Sequence, residues 1–558
     1  MSPADSPGSG GPPDASARAR KWWTLGVVCV GTFMLLLDVT IVNVALPSIQ
    51  RSLKSSFSDL QWVVDAYALT LAAFLLTAGS LADRLGRQRV FLIGLVVFTA
   101  SSALCGLAGD PLFLNLARGA QGTGGAMMFA TSLALLGQEF HGRDRGTAFG
   151  VWGGTLGAAV AVGPLVGGLL TQGLGWEAIF YLNVPIGVLC LYATATRLTN
   201  IRGQEGAIDW PGLVTFSAAL FMLVFALVRG NDEGWSSALI LGLVIGAVVL
   251  LIVFFVIEWR SDHPMLDLAL FRKPTFAGAA IVAFTLSASL FALFLYMTLW
   301  IQGILQFSPL QAGVRFLPST LLAFVVSPIG GRLSTRVPLR LLLTVGLALV
   351  GVALLLNTGV SSSSGWTALL AGFIVSGVGV GLVNPALASA AIGVVKPEES
   401  GMASGINSTF RQVGIATGIA ALGAVFQHLI RSRVAAAPVA RALGGHVRQF
   451  ADAISSGATK QALSHVMPVS ARAGLHHLAA SSFATALDRV FLIGGIVALA
   501  GAALAAVLVR DRELVGAQAG EPPEPAPGPA ARPAPAGSAT TDGPAPGTDR
   551  ARGGARPA

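Results

Sequence analysis

The sequence predicts an all-α polytopic membrane protein with fourteen transmembrane helices, and three observations lead there. Hydrophobic residues make up 53% of the 558 and charged residues 11%, with a mean hydropathy of +0.71, which a water-soluble globular chain does not tolerate. Apolar runs of about 20 residues, the length that crosses a bilayer, centre near residues 34, 71, 99, 125, 159, 187, 220, 248, 288, 321, 348, 375, 415 and 500. The 36 Lys and Arg, which outnumber acids to leave a net charge of +9, lie mostly in short gaps between those runs. That distribution orients a chain in a membrane and does not build a nucleic-acid-binding face.

The first element is a tail, residues 1–21, rich in Pro, Gly, Ser and Ala and ending on Arg18, Arg20 and Lys21. The apolar run behind it lacks a small-residue cleavage site, so it reads as a retained first span and not as a signal peptide. An even number of spans puts both termini on one side. Alternate gaps carry Arg84, Arg87, Arg89, Arg143, Arg145, Arg272, Lys273, Arg332, Arg336 and Arg340, whereas the opposite short gaps hold Arg51, Lys54 and Arg229. The positive-inside rule therefore predicts cytoplasmic termini in a plasma membrane. One gap, about residues 428–485, is expected outside although it carries Arg431, Arg433, Arg441, Arg448, Lys460 and Arg472; long translocated loops largely escape the rule. The Pro-rich tail, 511–558, cannot bury a core and is expected to be disordered and cytoplasmic.

Several chemistries are excluded. Cys29, Cys105 and Cys190 sit inside apolar runs, which argues against a disulfide framework or a zinc site, and none of the seven histidines falls in a predicted span. None of the five lysines follows a glycine as the phosphate-cradling loop requires, so no ATP-driven pump of that class is expected. GVGVG at 377–381 lies within an apolar run and is no nucleotide loop. No enzyme, metal or cofactor is predicted; energy has to come from a gradient.

An internal repeat sets the domains. GSLADRLGRQR at 79–89 is echoed by GRLSTRVPLR at 331–340, each about 56 residues into a run of spans. This implies an N-terminal six-helix bundle over 22–200, an inserted two-helix segment with linkers over 201–274, and a C-terminal six-helix bundle over 275–510. A parallel repeat of this kind places the transport site between the halves.

The motifs add specificity. LLLDVTIVNVALP at 35–47 sets Asp38 in an apolar run and Asn43 five residues on; ARGAQGTGGAM at 117–127 places Arg118 in another. A cation inside an apolar span costs roughly 2.5–3.5 kcal/mol even on the lenient insertion scale, so Arg118 is expected to face a cavity or a carboxylate, with snorkelling to the surface as the alternative. GSLADRLGRQR, with Gly79, Asp83, Arg84, Gly86 and Arg87, suits a conformational latch whose charge pairs break as the halves rock. GPLVGG at 163–168 places Gly163 and Gly167 on one helix face, with Pro164 as a kink point and Gly168 beside them.

Together these stretches resemble the signatures of the major facilitator superfamily, and within it the fourteen-span drug:proton antiporter (EmrB/QacA-type) branch. DWPG at 209–212, FYLNVPIG at 180–187 and GMASGINSTFRQVG at 401–414 fit the same branch. The resemblance covers residues 22 to about 427 and the last span. It implies the major facilitator fold and a proton-coupled exporter of hydrophobic, cationic drugs or toxic compounds, with Gly163, Pro164, Gly167 and Gly168 as the antiporter motif. It further implies proton and substrate coupling through Asp38, Arg118 and Asn43, with Asp38 facing the cavity between the halves; Asp65 joins these coupling candidates from its own place in the second span and not from the resemblance.

Departures from the pattern are informative. Thr335 and Pro338 stand where the first half has Asp83 and Gly86, so the second latch is expected to be weak or absent. Asp65 in WVVDAYALT and Glu177 after Trp176 occupy unexpected places; Asp65 either adds negative charge to the outer cavity or is a surface carboxylate. Arg411, near the cytoplasmic end of its span, is read as an anchor or gate contact and not as a substrate ligand. The expected partners are small hydrophobic or cationic substrates, protons and lipid, with the chain acting as a monomer. The Ala, Gly and Arg richness points to a GC-rich bacterial genome, which keeps open a dedicated exporter of a self-made metabolite or antibiotic. A non-transporting sensor on the same scaffold is the third reading, without a clustered catalytic set to support it.

Overall fold

The computed structural model describes residues 15–55, 57–140, 142–198, 208–261, 266–396, 399–457, 459, 463 and 472–514. Of the expected tails, residues 1–14 and 515–558 lie outside them, while residues 15–21, expected to be disordered, open the first helix. Fourteen long helices run through the described residues: α1 (Ala15–Leu53), α2 (Phe57–Leu85), α3 (Arg87–Gly106), α4 (Pro111–Glu139), α5 (Gly142–Gly173), α6 (Ala178–Arg197), α7 (Trp210–Glu233), α8 (Ala238–Arg260), α9 (Pro274–Ile304), α10 (Pro309–Leu333), α11 (Leu339–Leu356), α12 (Trp366–Gly393), α13 (Ser400–Ala436) and α14 (Arg472–Leu508). Twelve are long and apolar enough to cross a membrane by length and composition. The other two, α4 and α5, are full-length helices of 29 and 32 residues packed among them. A backbone in lipid must satisfy its own hydrogen bonds, which is why helices account for these segments.

Local chemistry sets several ends. Asp110 caps α4 by accepting from the Phe113 amide at 2.9 Å, with Pro111 opening the helix. Asp209 of the DWPG stretch caps α7 in the same way, accepting from Gly212 at 2.9 Å. Gly86, at φ 98°, makes the turn between α2 and α3, a conformation that a side chain would strain. α9 carries two π-helical stretches, Ser287–Phe291 and Trp300–Ile304. The gap expected over 428–485 is narrower than its sequence suggests: α13 continues to Ala436, a 3₁₀ stretch (Pro438–His446) and a short helix (Val447–Ser455) follow, and α14 begins at Arg472.

Helices α1–α6 pack as one bundle and α9–α14 as another, and two seams join them. Along the first, α2 meets α13; along the second, α5 meets α10 and α12. Both seams close through glycine. A β-carbon at Gly79 would lie 3.0 Å from the Gly401 carbonyl carbon and 3.2 Å from Gly405 Cα, and one at Gly331 would lie 2.9 Å from the Gly146 carbonyl carbon. Gly79 and Gly331 are the equivalent residues of the two repeats. The chain thus closes the mouth bearing the arginine-rich turns with backbone against backbone, which only residues without a side chain permit.

The inserted pair lies beside the first seam. α7 touches both α2 and α13, and α8 packs on α7 with much of its apolar surface exposed, as a lipid-facing helix should. Thr77 and Ser217 share a hydrogen bond at 2.8 Å between α2 and α7, and Asn231 donates to the Ala420 carbonyl of α13 at 2.9 Å.

Gly79→Val should force the first seam apart, because backbone cannot retreat as a flexible side chain would. In a background with Cys29, Cys105 and Cys190 changed to alanine and Ser404→Cys as reporter, maleimide labelling is expected to rise severalfold; unchanged labelling would show that the seam does not need the glycine.

Candidate functional site

Asp38 is fully buried, and it lies inside the first bundle instead of facing a cavity between the halves. Its carboxylate is answered from two neighbouring helices. Arg118 Nη1 of α4 donates to Oδ2 at 2.5 Å, Gln121 Nε2, one turn further on, donates to Oδ1 at 2.9 Å, and Asn183 Nδ2 of α6 donates to Oδ1 at 3.0 Å. Arg118, 1% exposed, does not snorkel. Its Nε donates to the Val63 carbonyl at 3.0 Å, its Nη1 also reaches Gln121 Oε1 at 2.7 Å, and its guanidinium lies 4.3 Å from the centre of the Tyr67 ring. Asn183 in turn donates to Ser102 Oγ of α3 at 3.1 Å.

Every helix of this cluster contributes for a local reason. Arg118 and Gln121 are three apart and share a face of α4. The glycines of ARGAQGTGGAM let α4 approach: a β-carbon at Gly122 would lie 3.1 Å from the Tyr67 carbonyl carbon, and one at Gly124 would lie 2.6 Å from the Phe98 amide nitrogen. Gln121, Asn183, Ser102 and Tyr67 were not singled out by sequence reasoning. The signal for Asn183 was the FYLNVPIG stretch, and for Gln121 the i, i+3 spacing from Arg118.

Asn43 does not join the cluster. Five residues on from Asp38 it points to another side of α1, is exposed, and donates to the Val39 carbonyl of its own helix at 3.1 Å. Asp65 lies within an ion pair to Arg229 of the inserted α7, N to O 3.6 Å, and Arg229 also donates to Gln61 at 2.9 Å and stacks over Trp62 at 5.2 Å. The contact joins α2 to α7. Glu177 precedes the short turn opening α6 and is partly buried.

The latch residues have a different arrangement from breakable charge pairs. Arg87 pairs with Asp83 within its own half, Nη2 to Oδ1 3.1 Å, and donates to Gln138 of α4 at 3.1 Å. Across the seam, Asp83 accepts from the Gly401 amide at 2.9 Å and the Met402 amide at 2.6 Å, so it caps the N-terminus of α13. A carboxylate there satisfies orphan amides and meets the positive end of the helix dipole. Arg84 closes α2 as its last-turn basic residue. In the other repeat Thr335 stands in the place of Asp83, and its Oγ1 donates to Arg332 in its own turn at 2.9 Å.

The antiporter-motif glycines face inward to their own bundle. A β-carbon at Gly167 would lie 2.8 Å from Ile41 Cγ1, and one at Gly163 would lie 2.6 Å from Thr40 Cβ, both on α1 within a turn of Asp38. Gly168 has open space, α5 runs helical through 164, and the Pro164 side chain lies outside the described residues. Gly153 and Gly157 on the same helix pack instead against α10 of the opposite half.

The fold and this set of motifs define a two-bundle transporter. Residues 28–419 match the model of the Major Facilitator Superfamily, and the chain belongs to that family, whose members are transporters and not enzymes. It is 33% identical over 503 residues to the tetracenomycin C resistance and export protein of Streptomyces glaucescens, covering 88% of this chain and 92% of that protein. It is 37% identical to the multidrug resistance protein Stp of Mycobacterium tuberculosis (72% and 75% covered) and 36% identical to the puromycin resistance protein pur8 of Streptomyces alboniger (73% and 82%). The crystal structure of the human organic anion transporter MFSD10 shares the fold, with a TM-score of 0.55 over 88% of this chain and all of that one at 16% identity.

Two outcomes follow. Arg118→Met strands a buried carboxylate and should destabilise the detergent-purified protein by about 3–5 kcal/mol, whereas Asp38→Asn leaves Arg118 its carbonyl, amide and ring partners and should cost clearly less; equal losses in thermal melts would contradict this account. Asp83→Ala removes a helix cap worth about 0.5–2 kcal/mol and should open the first seam on the order of tenfold, read by maleimide labelling in the same Ser404→Cys background, with Asp83→Asn intermediate.

Proposed function

We propose that this chain is a proton-coupled exporter of hydrophobic compounds, acting by alternating access in a bacterial plasma membrane with both termini cytoplasmic. The observation that carries the coupling is the Asp38 cluster. A carboxylate held wholly inside one bundle is a proton site whose neighbours can answer either state. When Asp38 is ionised it accepts from Arg118, Gln121 and Asn183. When it takes a proton, Arg118 keeps Val63, Gln121 and the Tyr67 face, so the guanidinium is not abandoned in a low-dielectric interior.

A mechanical route leads from that site to the seams. Thr40 and Ile41, two and three residues beyond Asp38, bear on Gly163 and Gly167 of α5, and α5 carries Gly146, Gly150 and Gly153 against α10. A shift of α1 on protonation therefore bears on the helix that forms the second seam. With the arginine-rich turns inward, the described conformation is closed to the cytoplasm, and proton uptake at Asp38 belongs to its outward side. One proton crossing about 100 mV supplies roughly 2.3 kcal/mol, enough for more than a tenfold gradient of a neutral solute.

The relatives' names support export of drug-like molecules. The match to a resistance and export protein over most of both chains favours, as a second reading, a dedicated exporter of a self-made antibiotic. In proteoliposomes with an imposed proton gradient, Asp38→Asn is expected to abolish uphill dye flux while the protein stays folded. Retained uphill flux would remove Asp38 from the coupling step.

A further inference from the structure

Three membrane-embedded carboxylates of the first half have partners: Asp38 with Arg118, Asp65 with Arg229, Asp83 with Arg87 and the start of α13. The second half contains a cation answered differently. Arg411 lies eleven residues beyond Ser400, about 16 Å along α13 at 1.5 Å per residue, which sets it near the middle of a hydrocarbon core about 30 Å thick. The sequence had suggested an anchor near the helix end. Arg411 is 7% exposed. Its Nη2 donates to Asn384 Oδ1 of α12 at 2.5 Å, its buried Nε has no hydrogen-bond partner, and among the described residues no carboxylate stands within ion-pair distance.

The position of this group is specific. Asn384 faces the second seam: a β-carbon at Gly153 of α5 would lie 3.3 Å from Asn384 Cβ and 2.6 Å from Ser327 Oγ of α10. Ser327, 1% exposed, is a second buried polar side chain whose oxygen has no partner. Three helices of one half therefore bring a guanidinium, an amide and a hydroxyl to the face that meets the other half.

An arginine stays protonated in proteins, and a buried cation without a counter-charge is costly. A neutral amide oxygen is a weak substitute for an anion. Elsewhere the structure sets a full carboxylate beside a buried guanidinium, Asp38 beside Arg118 and Asp65 beside Arg229. We infer that Arg411, with Asn384 and Ser327, receives an acidic oxygen group of the transported molecule, so that the cargo is an amphipathic organic anion bearing a carboxylate or phenolate. This rests on the exporter reading and narrows it, replacing the cationic preference that the sequence suggested. Rocking at the seam exposes the group to one side at a time, and Asn384 holds the guanidinium between cargoes.

Two xanthene dyes of similar size test this in proteoliposomes driven by a proton gradient: anionic fluorescein and cationic rhodamine 123. Wild type is expected to move fluorescein; Arg411→Gln should lower its flux about tenfold or more, the scale of a lost charge-assisted contact, and Arg411→Lys should keep most of it. Rhodamine 123 flux should be small and alike in all three. Transport of rhodamine 123 with fluorescein excluded, or fluorescein flux unchanged in Arg411→Gln, would overturn the acidic-cargo inference and leave the exporter reading standing. Flux of neither dye by the folded wild type would count against both. Should Arg411→Gln not fold, Asn384→Ala and Ser327→Ala apply the same criterion, each expected to weaken fluorescein transport about threefold and spare rhodamine 123.

Discussion

The cost of a charge without an answer in a low-dielectric interior organises this molecule. Within the first bundle it is met at Asp38, where α1 supplies the acid, α4 the guanidinium and an amide, and α6 a second amide that α3 holds in place. Those partners explain why polar side chains recur at single positions in otherwise apolar helices. They also leave Arg118 with partners of its own, the Val63 carbonyl, Gln121 and the face of the Tyr67 ring. A pair buried without such spare contacts would be locked in one state.

The same constraint shapes the joint between the halves. Glycines at equivalent positions of the two repeats bring backbones together, and the first seam is reinforced by a carboxylate, Asp83, on the N-terminus of α13. Thr335, at the equivalent position of the second repeat, carries no charge and bonds within its own turn. The first seam is also the one flanked by the inserted α7, which holds α2 through Thr77 and Asp65 and α13 through Asn231. Parting α2 from α13 has to break the hold of α7 on one of them. The inserted pair thus behaves as a brace on one side, and α5, coupled to α1 through Gly163 and Gly167, is the helix on which a change at Asp38 bears.

Fold class was legible in the sequence because it rests on hydropathy and length, properties of consecutive residues; fourteen spans were expected, and twelve of the described helices are long and apolar enough to cross a membrane. Family membership was legible for a related reason: motifs such as GSLADRLGRQR compress close packing and turn geometry into a few adjacent letters. The pairing of Asp38 with Arg118 could be anticipated, since each is intolerable in lipid without the other. What the tertiary structure decided concerns direction and partner. Asn43 and Asp38 share a helix but not a face, because five residues turn a helix well away from its starting side. Asp65 met an arginine on a helix far along the chain, Asp83 met backbone amides as well as Arg87, and Arg411 met the Asn384 side chain of α12. One-dimensional patterns state which residues cannot face lipid; which partner receives each of them depends on how fourteen helices pack around one another.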